Sequence, residues 1–279
     1  MHSKVSLAID FADAYPQQAA RVLEQLASTE TSAFIDSVPD KQSASLLASM
    51  LPHVAGRCIA ALPVESARKY LSGTNPKTAA SILRHVPDAT VNSIMKGMRR
   101  SHAMRISILL NHSLSMVGAW LEPTILTLPH NCTVGEACKR LQEGNYPDFH
   151  RIYVEDGEQN LVGYLRLARL IQEKDERPIA NLIDPCPPPL RSNVPLDSAL
   201  TNVAWRESDF LPVVDRHQKF LGIIRYASLR SAALNLRETE EVADTSGIFL
   251  DLAEACYIGL AEVMNASLSI EGNIRKKGV

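Results

Sequence analysis

The sequence predicts an α + α/β protein in which a helical repeat region precedes two similar α/β units, with one more helix near the carboxyl end. Prolines predict the first part: Pro39, Pro63 and Pro87 recur every 24 residues, and Pro52 and Pro76 form a second series with the same spacing. A repeated order of strand, helix, strand, strand and helix predicts the second part. A long apolar stretch predicts the last helix.

The proline series predicts a stack of short helices. Proline is favoured in the first turn of a helix, and the residue before a proline resists the helical conformation. Apolar residues with helical spacing lie between the prolines, in runs such as QQAARVLEQL, KQSASLLASML and KTAASILRHV. Helices of two to three turns are marginal alone and must bury their apolar faces on neighbours. The pattern therefore predicts an α-helical superhelix rather than a bundle of long helices.

The α/β part begins after Trp120. The stretch TILTLPHNCTVGEACKRLQEGN predicts a strand and then a helix, with Thr133 at its N-cap and Glu136 completing a capping box. Strands follow at Arg151–Glu155 and Leu161–Leu165, joined by a turn. The same order returns after Pro189, so we predict an internal duplication.

Composition excludes several classes of function. A formal net charge of −2 provides no basic field for nucleic acid, and the five cysteines form no CxxC pair. No run is long and apolar enough for a membrane-spanning helix, and acidic residues interrupt the amino-terminal stretch, so we expect a cytoplasmic protein. No nucleophile, P-loop or dinucleotide-binding motif is found, which indicates that the protein is not an enzyme.

The segments IYVEDGEQNLVGYLRLARLI and LPVVDRHQKFLGIIRYASL resemble a tandem pair of CBS domains. The helical repeat before them resembles the N-terminal domain of MgtE-type magnesium transporters, and Gly118 and Pro123 stand where the family's junction requires them. The resemblance covers about Pro16 to Leu234. It implies four segments: an MgtE N-domain-like region, a first CBS domain, a second CBS domain and a helical tail, at 1–119, 120–183, 184–236 and 237–279.

The resemblance implies a cytosolic regulatory protein, similar to the Mg²⁺-sensing part of such a transporter but without its channel. Mg²⁺ prefers clustered carboxylate oxygens. However, Leu114 and Ser115 replace the acidic pair of the family's junction, and no acidic residue occurs between Ala89 and Leu121. The remaining candidate ligands for Mg²⁺, the one expected cofactor, all lie in the CBS region: Asp156, Glu158, Asp175, Asp184 and Asp209.

CBS pairs commonly bind adenosine nucleotides through an aspartate that accepts both ribose hydroxyls. Arg169 and Ser228 replace that aspartate in the two copies, so we expect weak nucleotide binding or none. Any binding would use phosphate contacts from Arg166, Arg169 and Arg225, with Ser228 nearby.

Two surfaces indicate a homodimer. The predicted helices of the CBS units would present an exposed apolar face, and the tail helix is apolar around most of its circumference, so it requires a partner surface. The expected interface residues are Ala137, Leu141, Ala199, Val203, Phe249, Leu252 and Leu260. The helical repeat or the tail would also suit a protein partner, and the sequence leaves two further functions open: a ligand-free dimeric interaction scaffold, and an adenosine-nucleotide sensor.

Overall fold

The computed structural model describes residues 2–123, 125–143 and 151–237. Residues 1–230 form one compact unit, and residues 231–279 form a second. Within the described ranges, every helix falls short of the length and hydrophobicity that a bilayer-spanning helix needs. The predicted tail helix, with Phe249, Leu252 and Leu260, lies outside the described residues.

Short helices fill the first part of the chain, as the proline series predicts. They are α1 His2–Ala14, α2 Pro16–Leu23, α3 Ser28–Ser37, α4 Asp40–Ser49, α5 Pro52–Ala61, α6 Val64–Ser72, α7 Pro76–Leu83, α8 Asp88–Lys96 and α9 Arg100–Leu110.

The two proline series occupy two different positions at the helix starts. Pro39, Pro63 and Pro87 are the N-cap residues of α4, α6 and α8. Pro52 and Pro76 are the first residues of α5 and α7, where a missing backbone N–H costs nothing. The 24-residue spacing is therefore the length of one helix pair.

Each helix of the repeat packs mainly on the helix two positions along the chain, from α2 on α4 to α7 on α9. This pairing is that of a superhelix, whose members contact near neighbours only. Leu47, Leu71 and Ile94 are fully buried in its core. Small side chains at the contacts let the helices approach closely, and all of them are buried: Ala19, Ala44, Ala67, Ala79 and Ala80.

Two α/β repeats follow the superhelix. The first contains β1 Thr127–Pro129, α10 Val134–Glu143, β2 Arg151–Glu155, β3 Leu161–Arg166 and α11 Leu167–Leu170. The second contains β4 Leu190–Arg191, α12 Leu196–Leu200, β5 Phe210–Val214 and β6 Phe220–Arg225, and a helix begins at residue 226.

The two sheets have the same topology. In each, the first strand pairs in parallel with the second, and the second pairs antiparallel with the third. The predicted capping box is present at α10, where the Thr133 N–H donates to Glu136 Oε2 at 3.0 Å. The α + α/β fold class with its duplicated unit is confirmed.

A small apolar cluster joins the two repeats. Tyr153 of the first repeat packs with Phe210 and Ile223 of the second, and all three are buried. The Tyr153 hydroxyl has no hydrogen-bond partner in the described part of the chain, and burial raises its pKa. The repeats therefore share a hydrophobic contact that is distinct from the core within each one.

Candidate functional site

The segment between the superhelix and the first α/β repeat, residues 113–123 (the junction segment), lies on the second repeat. The Val117 N–H donates to the Val194 carbonyl at 2.9 Å, and the Gly118 N–H donates to the Ser192 carbonyl at 2.8 Å. In return, the Leu196 N–H donates to the Ser115 carbonyl at 2.9 Å. The end of the superhelix is thus fixed to the second repeat by backbone hydrogen bonds.

Glu122 closes this connection at β6. Its N–H donates to the Ile223 carbonyl at 2.6 Å, and its carbonyl accepts from the Ile223 N–H at 3.2 Å. Its carboxylate forms an ion pair with Arg225, with 3.2 Å between Oε1 and Nε. A Cβ atom on Gly222 would lie 2.3 Å from the Glu122 carbonyl oxygen, so glycine is required for this close approach.

The same arrangement recurs on the first repeat. Asp184 exchanges two backbone hydrogen bonds with Tyr164 of β3, at 2.8 and 3.0 Å. Arg166 Nε lies 2.9 Å from Asp184 Oδ2, and Arg169 Nη1 lies 3.4 Å from Oδ1. We refer to Glu122–Arg225 and Asp184–Arg166 as the crossed ion pairs. Glu122 leads into the first repeat and pairs with Arg225 on β6, the last strand of the second repeat. Asp184 leads into the second repeat and pairs with Arg166 on β3, the last strand of the first repeat.

Lys77 on α7 lies near the first of these pairs. Burial lowers the pKa of this lysine, and Arg225 lowers it further, while the Glu122 carboxylate acts in the opposite direction. Two cations, Lys77 and Arg225, therefore lie near the Glu122 carboxylate at the junction between the superhelix and the α/β region.

A cavity of about 640 Å³ lies beside β2 and β3 (the cleft cavity), lined by Arg151, Tyr164, Arg166, Leu167, Ala168 and Ile171. The Arg151 guanidinium lies 3.6 Å from the centre of the Phe210 ring and 5.1 Å from that of Tyr164, so it is held by cation–π contacts. Nearby, burial raises the pKa of the Cys186 thiol to about 12, while Arg151 opposes the rise. The cavity offers two cationic groups beside apolar walls.

In each repeat, an aspartate stabilises the hairpin loop by accepting hydrogen bonds from residues of the same loop. Asp156 Oδ1 accepts from the backbone N–H groups of Glu158 and Asn160 at 2.8 and 2.9 Å, and Oδ2 accepts from the Asn160 side chain. These hydrogen bonds lower the Asp156 pKa. In the second repeat, Asp215 Oδ1 accepts from His217 and Lys219 in the same manner.

The predicted site residues are dispersed in the structure. Glu158 is exposed, with Oε2 3.7 Å from Lys219 Nζ, while Asp175 and Asp209 are exposed on other loops. Ser228 is half-buried after β6. Within the described ranges, no group of three or more His, Cys, Asp or Glu side chains is close enough to hold one metal ion. Among the described residues of the predicted set, Asp184 is paired with both Arg166 and Arg169, and Asp156 accepts a backbone hydrogen bond from Glu158.

The exposed apolar face expected on α10 and α12 is not present in the described residues. Ala137 and Leu141 pack into the core of the first repeat, and Ala199 is fully buried. These side chains face inward because α10 and α12 need them to cover their own sheets. Val203 alone of this set is exposed, at 72%.

Sequence reasoning missed Glu122, Arg151 and Lys77. A signal for Glu122 is present: an acidic residue precedes proline at the start of both repeats, in Glu122-Pro123 and in Asp184-Pro185. No comparable pattern marks Arg151, whose role depends on an aromatic ring in the other repeat.

Comparison with known proteins supports both halves of this architecture. The family model of the MgtE intracellular N domain matches residues 14–114, and that of the CBS domain matches residues 117–176. Neither is a model of a catalytic domain. No curated protein matches the sequence significantly.

The fold is found in solved structures, among them these two. The cytosolic domain of the Mg²⁺ channel MgtE in complex with ATP is 19% identical, with a TM-score of 0.64 over 79% of this chain and 90% of that one. The soluble part of a magnesium transporter is 17% identical, with a TM-score of 0.56 over 84% of this chain and 98% of that one.

Proposed function

From its combination of an MgtE intracellular N domain with a CBS region, the arrangement found in the cytosolic part of MgtE-type magnesium transporters, we propose that this chain is a non-catalytic regulatory module. A ligand bound in the CBS region would change how the two α/β repeats meet. The superhelix would respond because its last segment is bonded to one of those repeats.

One observation carries this proposal: in the described part of the chain, the junction segment is bonded to the second repeat by several backbone hydrogen bonds. Its hydrogen bonds run to Ser192, Val194, Leu196 and Ile223, all in the second repeat or leading into it. Any rotation of the second repeat against the first would therefore carry the superhelix with it. Motion of rigid parts about a short connection is a common form of regulatory switch.

Mg²⁺ is the first ligand to test, because the domain combination implies it. The predicted ligands do not form a site within one copy of the described chain. The Asp156 oxygens accept hydrogen bonds from their own loop, and Asp184 is paired with Arg166 and Arg169. The proposal therefore does not depend on a metal site among these residues.

A nucleotide is the second candidate ligand, favoured by the cleft cavity. Arg151 and Arg166 are suited to a phosphate group, and Tyr164 and Leu167 provide an apolar wall. Asp184 opposes this function, because its carboxylate already neutralises Arg166. We therefore expect any nucleotide to bind weakly.

Hydrogen exchange at the junction segment tests the regulatory proposal. The amides of Val117, Gly118 and Glu122 are the donors of the bonds that fix this segment, so their exchange rates report its attachment directly. We expect Mg²⁺ or ATP to change their protection, while amides in the middle of α5 stay unchanged. If neither ligand alters exchange or melting temperature, the sensor function is wrong and a ligand-free scaffold becomes the better explanation.

We further propose that the module acts in the cytosol as a homodimer. The support is the domain combination, the exposed Val203 and the apolar stretch predicted between residues 248 and 264. A protein partner would contact the superhelix or the tail.

A further inference from the structure

A second cavity lies between the superhelix and the junction segment, and it shares no lining residue with the cleft cavity. Its volume is about 270 Å³, and its walls come from the end of α4, the start of α5, one face of α7 and residues 114–120. Ligand pockets usually occupy about 300–1,000 Å³, so this cavity suits only a small molecule. We call it the superhelix cavity.

The polar wall of this cavity is cationic. Lys77, Ser81 and Arg84 line it at positions i, i+4 and i+7 of one helical face. None of its lining residues in the described part of the chain is acidic. Arg84 is held in place because Nη2 donates to the carbonyls of Leu109 and His112 at 2.7 and 3.0 Å.

Lys77 has no salt bridge among the described residues, although it is half-buried. Burial is the main cause of its lowered pKa, and the nearby Glu122 carboxylate is already engaged by Arg225. A partly desolvated cation is unfavourable unless a negative group compensates it. An anion beside Lys77 would supply that compensation.

Apart from Thr78, the remaining lining residues are apolar. Leu47 and Met50 are buried side chains of the superhelix that reach the cavity. Trp120 also lines the cavity, and its indole N–H donates to the Leu114 carbonyl at 2.7 Å. This bond fixes the ring, so the cavity has a rigid aromatic wall as well as a fixed cation.

We propose that the superhelix cavity binds a small organic anion, with its carboxylate or phosphate group at Lys77 and its apolar body against Leu47, Met50 and Trp120. Arg84 adds positive charge from the same face of α7. Because Trp120 belongs to the junction segment, occupancy would also stabilise the attachment of that segment to the superhelix.

Fluorescence of Trp120 tests the proposal in the full chain. The sequence has two tryptophans, so the variant Trp205→Phe leaves Trp120 as the only one. Phenyl phosphate is the probe, and phenol and inorganic phosphate are its neutral and headgroup-only controls. We expect a saturable change with phenyl phosphate, and at least about tenfold weaker responses to both controls, because each lacks one of the two required contacts.

Variants locate the binding site. Lys77→Gln should weaken phenyl phosphate binding about tenfold, and Lys77→Arg should largely restore it, because a charged hydrogen bond is worth about that much. Lys41→Gln, at an exposed lysine of α4 that lines neither cavity, should leave binding unchanged, and Arg166→Gln tests whether the probe binds in the cleft cavity instead. Methyl NMR of Met50 in the unmutated chain gives a second readout that does not depend on how a variant folds.

Any of three fluorescence results would overturn the proposal. These are no saturable response at about 10 mM probe, where even weak specific binding is visible; equal affinity for inorganic phosphate; and loss of binding in Arg166→Gln but not in Lys77→Gln. A Met50 signal that does not move with the probe would also exclude occupancy of the cavity. Loss of this site would leave the regulatory proposal intact, because that proposal concerns the junction amides and other ligands.

Discussion

Arg225 Nε lies 3.2 Å from Glu122 Oε1, and this ion pair joins the last strand of the second α/β repeat to the residue that leads into the first. Asp184 and Arg166 make the reciprocal connection, at 2.9 Å. Each repeat therefore completes the edge of the other. In the regulatory function proposed above, this crossed connection would transmit a change in either repeat to the other, and to the superhelix through the junction segment.

The first prediction concerns the strength of the Glu122–Arg225 pair. Both side chains are partly exposed, at 28% and 40%, so solvent screens the attraction. A double-mutant cycle with Glu122→Gln and Arg225→Gln should give a coupling free energy of about 0.5–1 kcal/mol in chemical denaturation. A coupling of zero within error would show that the backbone bonds alone hold this edge.

The second prediction concerns Gly222, which lies directly against the Glu122 backbone. Gly222 has a φ of 152°, and a Cβ atom there would lie 2.3 Å from the Glu122 carbonyl oxygen. Gly222→Ala should therefore destabilise the chain by roughly 1–3 kcal/mol and accelerate exchange of the Glu122 amide. Gly157→Ala is the matched control, since a Cβ atom there meets nothing within 4 Å. Equal melting temperatures for the two variants would contradict the prediction.

Much of the fold was predictable because local rules determine it. The spacing of Pro39, Pro63 and Pro87 predicts helix starts, since proline restricts its own backbone and that of its neighbour. The Thr133 and Glu136 pair predicts the start of α10 in the same way, through bonds within one turn. Strand bounds at Arg151–Glu155 also follow from local pattern.

The site was less predictable, because its contacts join residues far apart in the chain. Glu122 and Arg225 are brought together only by the crossing of the repeats. Arg151 is held by Phe210, which lies in the other repeat, and no helix or strand periodicity in the sequence predicts that these two residues meet. The prediction that Ala137 is exposed at an interface was wrong for a related reason. An apolar helix face has the same sequence pattern whether it packs on its own sheet, as Ala137 does, or on a second subunit.

The third prediction is a loss of stability in acid that arises from His102. Burial is the main cause of its lowered pKa, and its Nε2 atom is buried without a hydrogen-bond partner in the described chain. In the unfolded state the His102 imidazole has an ordinary pKa near 6.5, so it binds a proton more readily than in the folded state. Stability should therefore be full above that pH and fall as the pH decreases.

Melting temperatures between about pH 7.5 and 5.5 measure this effect, because the ordinary imidazole titrates in that range. His102→Gln should decrease the drop. Part of it should remain, because the His85 pKa is also lowered, by burial first and then by His53 and Arg84. A drop that is unchanged in His102→Gln would assign the acid sensitivity to other groups.

The fourth prediction concerns the cleft cavity. Asp184→Asn should free Arg166 and increase the affinity for AMP several-fold, because charged hydrogen bonds to phosphate become available. Glu65→Gln is the matched control, since it removes one negative charge from the Glu65–Arg68 ion pair of the superhelix, and neither residue lines the cleft cavity. Calorimetry that shows the same gain in both variants would indicate a general charge effect and not release of Arg166.

The fifth prediction is that the full chain is a homodimer that depends on Val203 and on the tail. Val203 is 72% exposed and belongs to the predicted interface, so a substitution there tests the dimer without disturbing a core. In a twofold dimer one substitution acts twice, so Val203→Asp should place two charges in the interface and increase the dissociation constant.

Removal of all residues after Asp244 should also increase the dissociation constant of the dimer, since it deletes the long apolar stretch. Sedimentation velocity at several concentrations measures both, with Val162→Asp as a control at another exposed valine. A monomeric full chain would refute the dimer, and a truncated chain that stays fully dimeric would assign the tail to a different partner.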